Sequence, residues 1–129
     1  MDLKSYFKDK KGSGVLATAD DKGKVDIAIY ATPHVMDDNN IAFIMADRLT
    51  HHNLQSNGNA AYLFSEEGKG FKGIRLYLSK LREEKDSELL YSIRRRKDKM
   101  DEEKKGPRYL VIFKVEKILP LIGDDEGKY

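Results

Sequence analysis

Cationic, hydroxyl, imidazole and amide side chains crowd into one short stretch of this chain, where Arg48, Thr50, His51, His52 and Asn53 follow directly on the apolar run Ile41 to Ala46. Together they make a donor set for an oxyanion, because a guanidinium offers two parallel charged N–H groups while hydroxyl and amide groups add neutral donors. Asp47 or Thr50, just ahead of a short amphipathic segment, suits a helix start, since its oxygen can accept the unpaired N–H groups of the first turn. A helix that begins where a strand ends also points its free N–H groups and its positive dipole end at one spot. The stretch therefore reads as the phosphate end of a ligand site. Asn57-Gly58 ends the helix and Ala60 to Phe64 resumes an apolar run, which gives strand, short helix, turn, strand.

Other chemistries fit less well. His34, His51 and His52 are the three histidines and there is no cysteine. Adjacent histidines on a helix project roughly 100° apart, so they do not share one ion easily, and no metal site is expected. Arg94-Arg95-Arg96-Lys97 is followed at once by Asp98, Asp101, Glu102 and Glu103, which reads as a mixed-charge solvated helix end and not as a nucleic-acid patch. The 24 basic and 22 acidic residues leave a formal charge of +2. No global field attracts nucleic acid or an acidic membrane, so any anion binding must be local. The charged start MDLKSYFKDKK has no apolar core, and no later stretch is long enough to span a bilayer, so a soluble, cytoplasmic protein is expected.

These side chains need a frame. A chain of 129 residues suits a single domain. Residues 1–12 read as an N-terminal helix and linker, with Asp2 as cap and Leu3, Tyr6 and Phe7 laid on the domain as a packing lid. Gly14 to Ala19 reads as a strand, Asp20 to Gly23 as a hairpin turn, and Lys24 to Ala31 as a strand with Val25, Ile27 and Ile29 on one face and Tyr30 on the other. Pro33 should make this strand bend, sit at an edge or break before His34-Val35-Met36. After the loop Ser65 to Gly70, Phe71 to Glu84 alternates as a strand, although a helix starting near Ser79 competes with it. Ser87 or Asp86 then caps a helix reaching about Lys97. Arg108 to Leu119 is the last strand, apolar on both faces over Tyr109 to Phe113, so helices or a second copy of the chain must cover each side. Residues 120–129 read as a mobile tail. Six strands with short flanking helices, and no regular alternation of strand and helix, argue for a mainly β protein with an antiparallel barrel. Tyr30, Tyr62 and Tyr77 are read chiefly as barrel packing, with stacking on a ligand ring as the alternative.

In this order of elements the chain resembles the pyridoxamine 5'-phosphate oxidase-like family of FMN-binding split barrels. GVLATADDKGKVDIAIYATPHVMDDNNIAFIMAD resembles the first three strands, and RLTHHNLQSNGNAAYLF resembles the phosphate-binding turn, helix and fourth strand. The resemblance implies a six-stranded antiparallel split barrel that binds FMN at a homodimer interface and serves as an oxidoreductase or electron carrier toward an unidentified small molecule or redox protein. It places the phosphate at Arg48, Thr50, His51 and Asn53 and at the backbone of Met45, Ala46 and Asp47. The isoalloxazine would lie against Ile27, Ala28, Ile29 and Tyr30, with Arg75 or Lys72 adding a contact. Many members carry a lysine in the phosphate turn, where this chain has Leu49 and Thr50, so Arg48 or a histidine must supply the charge. The vitamin B6 oxidases extend further and hold their substrate with arginine and histidine near the C-terminus, whereas this sequence closes on LPLIGDDEGKY, so oxidation of pyridoxamine phosphate is not expected. The alternative is a dimer of the same fold that binds haem or a deazaflavin, or one with a purely structural or regulatory role.

Overall fold

The computed structural model describes residues 1–94 and 106–123. Its elements are α1 (Leu3–Phe7), β1 (Gly12–Ala19), β2 (Val25–Ile29), β3 (His34–Val35), β4 (Asn40–Ala46), α2 (Leu49–Ser56), β5 (Asn59–Glu66), β6 (Gly73–Lys85), α3 (Glu88–Ile93) and β7 (Arg108–Pro120). The strands form one antiparallel sheet in the order β2-β1-β5-β6-β7-β4-β3. That is seven strands where six were expected. Pro33 divides the predicted second strand region, and the residues beyond it pair as the two-residue β3 with β4.

The sheet does not close through hydrogen bonds, because β2 and β3 are its two ends. Yet these ends are consecutive in sequence. A flat sheet of this order would hold its edges about 29 Å apart at ~4.8 Å per strand spacing. The five residue steps from Ile29 to His34 reach at most about 17 Å. The sheet must therefore roll up until its edges approach each other, joined by covalent chain in place of a ladder. This is how a barrel becomes split.

Inside the roll lie Leu16, Phe43, Tyr62, Phe64, Leu76, Leu78, Val111 and Phe113, all buried. Tyr62 also donates from its hydroxyl to the carbonyls of Tyr30 and Ala31, at 3.1 Å each, and so holds the connection between the two edges. As expected, Asp2 caps α1 by accepting from the N–H groups of Lys4 and Ser5. Leu3 and Phe7 then close one end of the core, with the Phe7 ring edge-on to Phe64 at 5.4 Å.

The competing helix from Ser79 does not form. The strand β6 continues to Lys85 because β7 pairs with it along its length and satisfies its backbone groups. The helix that follows starts at the Ser87 cap and ends at Ile93, with Arg94 already extended, and the rest of the predicted stretch to Lys97 lies outside the described residues. Leu90 covers Leu110 and Ile112 on the second face of β7, with Leu89 and Ile93 beside it. Helix packing thus answers for that face of β7. Residues 95–97 of the basic run, the charged segment 98–105 and the tail from 124 onward lie outside the described residues. The start of the predicted tail belongs to the fold, since Pro120 pairs with Ile74 and Leu121 N–H donates to the Gly73 carbonyl at 3.2 Å.

Candidate functional site

The helix α2 packs on β1, β2 and β4 at the start of the stretch that carries the candidate anion donors. Its buried side chains are Thr50, His51, Asn53 and Leu54, so three of the four are polar. An ordinary amphipathic helix is held by a non-directional apolar stripe. Here each polar side chain meets its own partner. The Thr50 and Tyr30 hydroxyls are hydrogen-bonded, and burial, only partly offset by this bond, raises the Tyr30 phenol above its ordinary range. Asn53 Nδ2 donates to Thr18 Oγ1 at 3.1 Å inside the core. The His51 ring stacks on Tyr109 at 3.7 Å, with Nε2 3.0 Å from Glu83 Oε2 and Nδ1 3.5 Å from Asp47 Oδ1.

This anchoring redistributes the roles expected from sequence. The side chains of Thr50, His51 and Asn53 lie at the predicted end of the fold, but they are committed to protein partners and orient the helix. Neither Asp47 nor Thr50 is the cap. Arg48 holds that position, and no side chain caps α2. The first intrahelical bond runs from the His52 N–H to the Arg48 carbonyl at 2.9 Å, which leaves the N–H groups of Leu49, Thr50 and His51 ahead of it. The Arg48 side chain is exposed and forms no ion pair or hydrogen bond with any described residue. Met45 is buried at the end of β4, Ala46 is half-buried and Asp47 exposed. The Arg48 side chain and three backbone N–H groups are therefore left without a hydrogen-bond partner among the described residues.

Glu83 completes the support and was not legible in the sequence. Burial opposes its charge, but hydrogen bonds from Gln55, Lys80 and His51 outweigh burial and bring its carboxyl down to about 2. The distances are 2.9 Å from Gln55 Nε2 and 2.7 Å from Lys80 Nζ, and Lys80 also reaches the Leu54 carbonyl near the end of α2 at 3.4 Å. Lys80 and Glu83 are three residues apart, and in a regular strand they would face opposite sides. A bulge decides otherwise. Lys80 pairs with Phe113 and Arg82 with Ile112, which makes Leu81 the extra residue and turns Lys80 and Glu83 to the same side.

No protein-family model matches the sequence, and no curated protein matches it. Solved structures do match. A crystal structure of an FMN-binding protein from Syntrophomonas wolfei aligns with a TM-score of 0.72 at 24% identity, covering 92% of this chain and 82% of that one. HupZ of Group A Streptococcus aligns at 0.69 with 20% identity, covering 95% and 93%. A member of the pyridoxinephosphate oxidase family from Clostridium acetobutylicum aligns at 0.62 with 12% identity, covering 98% and 95%. The chain has the FMN-binding split-barrel fold.

Within the split barrel the residues predicted for the ring separate into two groups. Tyr30 is half-buried, edge-on to Phe43 at 5.6 Å, and Ala28 faces inward opposite Leu16. Ile27 and Ile29 point outward and are 69% and 87% exposed, in line with Val25 at 78%. Leu49, at the start of α2, is 54% exposed. The outward row continues through the register, with Ile29 opposite Val15 and Val15 opposite Leu63. Contiguous exposed apolar faces in soluble proteins are often sites of protein or ligand contact. A cleft of about 480 Å³ between the β1–β2 hairpin and α2, lined by Val25, Asp26, Leu49, His52, Asn53 and Ser56 among others, adjoins it. Arg75 and Lys72 are not brought to α2 within one chain. The Arg75 guanidinium donates to the carbonyls of Pro120 and Gly123, and Lys72 lies at the β5–β6 turn, where its carbonyl accepts from Glu66. Among the described residues no three or more His, Asp or Glu side chains cluster as metal ligands, and no helix is long and apolar enough to cross a membrane.

Proposed function

We propose that this chain is a homodimeric FMN-binding protein, an oxidoreductase or electron carrier, whose cofactor lies between the start of α2 and the apolar outer face of β2. The observation that carries the reading is the uncapped N-terminus of α2 with Arg48 exposed beside it, at a helix whose buried polar side chains Thr50, His51 and Asn53 are engaged with protein partners. The residues fit the group. A phosphate dianion takes several donors, and the guanidinium fork with the N–H groups of Leu49, Thr50 and His51 supplies them without a lysine. The helix dipole adds the same sign of charge. The similar protein from Syntrophomonas wolfei is an FMN-binding protein, which supports the choice of ligand.

FMN, when bound, supplies the electron chemistry. The chain's own part is to grip the phosphate with Arg48 and the first turn of α2, and to keep that turn in place through Thr50, His51 and Asn53. The apolar side chains of Val25, Ile27, Ile29 and Leu49 meet a second copy and exclude water from the site between the two. Pyridoxamine phosphate oxidation is not part of the proposal.

Absorbance of the purified protein, read together with its mass by sedimentation, tests the proposal. Flavin bands in a particle of twice the chain mass are expected, and Arg48→Ala should weaken FMN binding about tenfold, the value of one charge-assisted hydrogen bond. Colourless protein that takes up no added FMN would reject the reading.

A further inference from the structure

We infer that Glu83 is a positioning residue of the anion site at α2, acting through His51 and placed there by the Leu81 bulge. The proposal rests on the α2 N-terminus being an anion site, and it says which distant residue sets that site's affinity. Glu83 touches neither Arg48 nor the free N–H groups. It holds the helix that carries them.

The geometry is specific. His51 is in the first turn of α2, and its ring lies between Tyr109, Glu83 and Asp47, which come from β7, β6 and the turn after β4. One turn later Gln55 Nε2 donates both to the His51 carbonyl at 3.0 Å and to Glu83 Oε1. Lys80, from the same strand as Glu83, reaches the Leu54 carbonyl and the carboxylate together. Two positions along the helix are thus fastened to one short segment of β6. Only Leu54 among the buried side chains of α2 is apolar, so apolar packing alone leaves the helix free to slide or rotate. A donor set for phosphate tolerates little such freedom, because its hydrogen bonds weaken steeply as angles open. The bulge completes the case. Without an extra residue at Leu81, Lys80 and Glu83 would lie on opposite faces and only one of them would meet α2.

The test uses the full chain and two probes, FMN and inorganic phosphate. Glu83→Gln keeps the shape and removes the charge, and Gln55→Leu removes one donor and leaves the carboxylate. Expected are a loss of about tenfold in FMN affinity for Glu83→Gln, the scale on which outer-shell partners act, and a smaller loss in the same direction for Gln55→Leu. Glu83→Asp should recover part of the loss. In amide NMR spectra recorded well below the unfolding midpoint, phosphate should shift the Leu49, Thr50 and His51 signals of the wild type, with weaker saturation in Glu83→Gln. Folded Glu83→Gln protein that binds both probes as the wild type does would overturn the inference, and so would unchanged affinity in Gln55→Leu if Glu83→Gln fails to fold. Wild-type protein that ignores FMN but shows the phosphate shifts would reject the flavin reading alone and leave the phosphate comparison to decide the role of Glu83.

Discussion

Replacing Glu83 by Gln should change the acid stability of the free protein by an amount the structure allows one to work out. The carboxyl is lowered from 4.5 to about 2 in the fold. A depressed carboxyl stabilises the folded state above its unfolded value, and the contribution disappears as pH falls through its folded value. At 1.36 kcal/mol per unit the shift corresponds to about 3 kcal/mol. This is an upper figure, because the side chain is 22% exposed and solvent screens part of it. Urea unfolding followed by far-ultraviolet circular dichroism measures it. At pH 7 the wild type should exceed Glu83→Gln by about 2–3 kcal/mol, and the gap should narrow from near pH 4.5 and close near pH 2. Asp2, Asp20, Glu66, Glu84 and Asp86 are lowered as well, but they are present in both proteins and cancel in the difference. A gap that stays constant from pH 7 to pH 2 would show that the substitution damages packing and that the ionised form has no special place, and would refute the reasoning.

Three further outcomes follow from other parts of the fold. Asn53→Ala leaves the Thr18 hydroxyl buried without its donor and should cost about 1–3 kcal/mol in the same denaturation experiment. Gly14→Ala would place a Cβ 1.9 Å from Tyr62 Oη and 2.5 Å from the Tyr30 carbonyl. The hydroxyl is tied to two carbonyls and cannot retreat cheaply, so a loss of about 3 kcal/mol or failure to fold is expected, read from the melting temperature. Ile29→Glu puts a charge on the most exposed apolar position of β2 and should shift the sedimentation profile to single chains while the circular dichroism spectrum stays that of the wild type.

The order of elements was readable because it depends on local chemistry. Asp2 and Ser87 are short-range caps, Asp20 to Gly23 is a local turn, and Pro33 interrupts pairing wherever it sits. Three features depend on what lies across the sheet and were not readable. Periodicity assigned β6 one inward face through Leu78 but carried no sign of the bulge at Leu81, which reverses the alternation and delivers Glu83 to α2. The polar side chains Thr50, His51 and Asn53 looked like ligand contacts because sequence shows residue type and not burial. Each is at most 5% exposed, with a partner far away in the chain. Arg48, expected at the phosphate, is exposed at the start of α2, whereas Arg75 is tied to carbonyls near the end of β7 that no local pattern would indicate.

The place of β7 in the sheet has a consequence for the order of assembly. Residues 108–114 lie between β6 and β4, so the long side of β4 waits for a partner that the chain supplies only after α2, β5, β6 and α3. Closing so long a loop costs entropy before any contact rewards it, and such pairings form late. Tyr109, on which His51 stacks, belongs to that last strand. As the chain leaves the ribosome, α2 and Arg48 emerge long before the strand against which His51 stacks, so under the proposed function cofactor capture is expected to wait until β7 has docked.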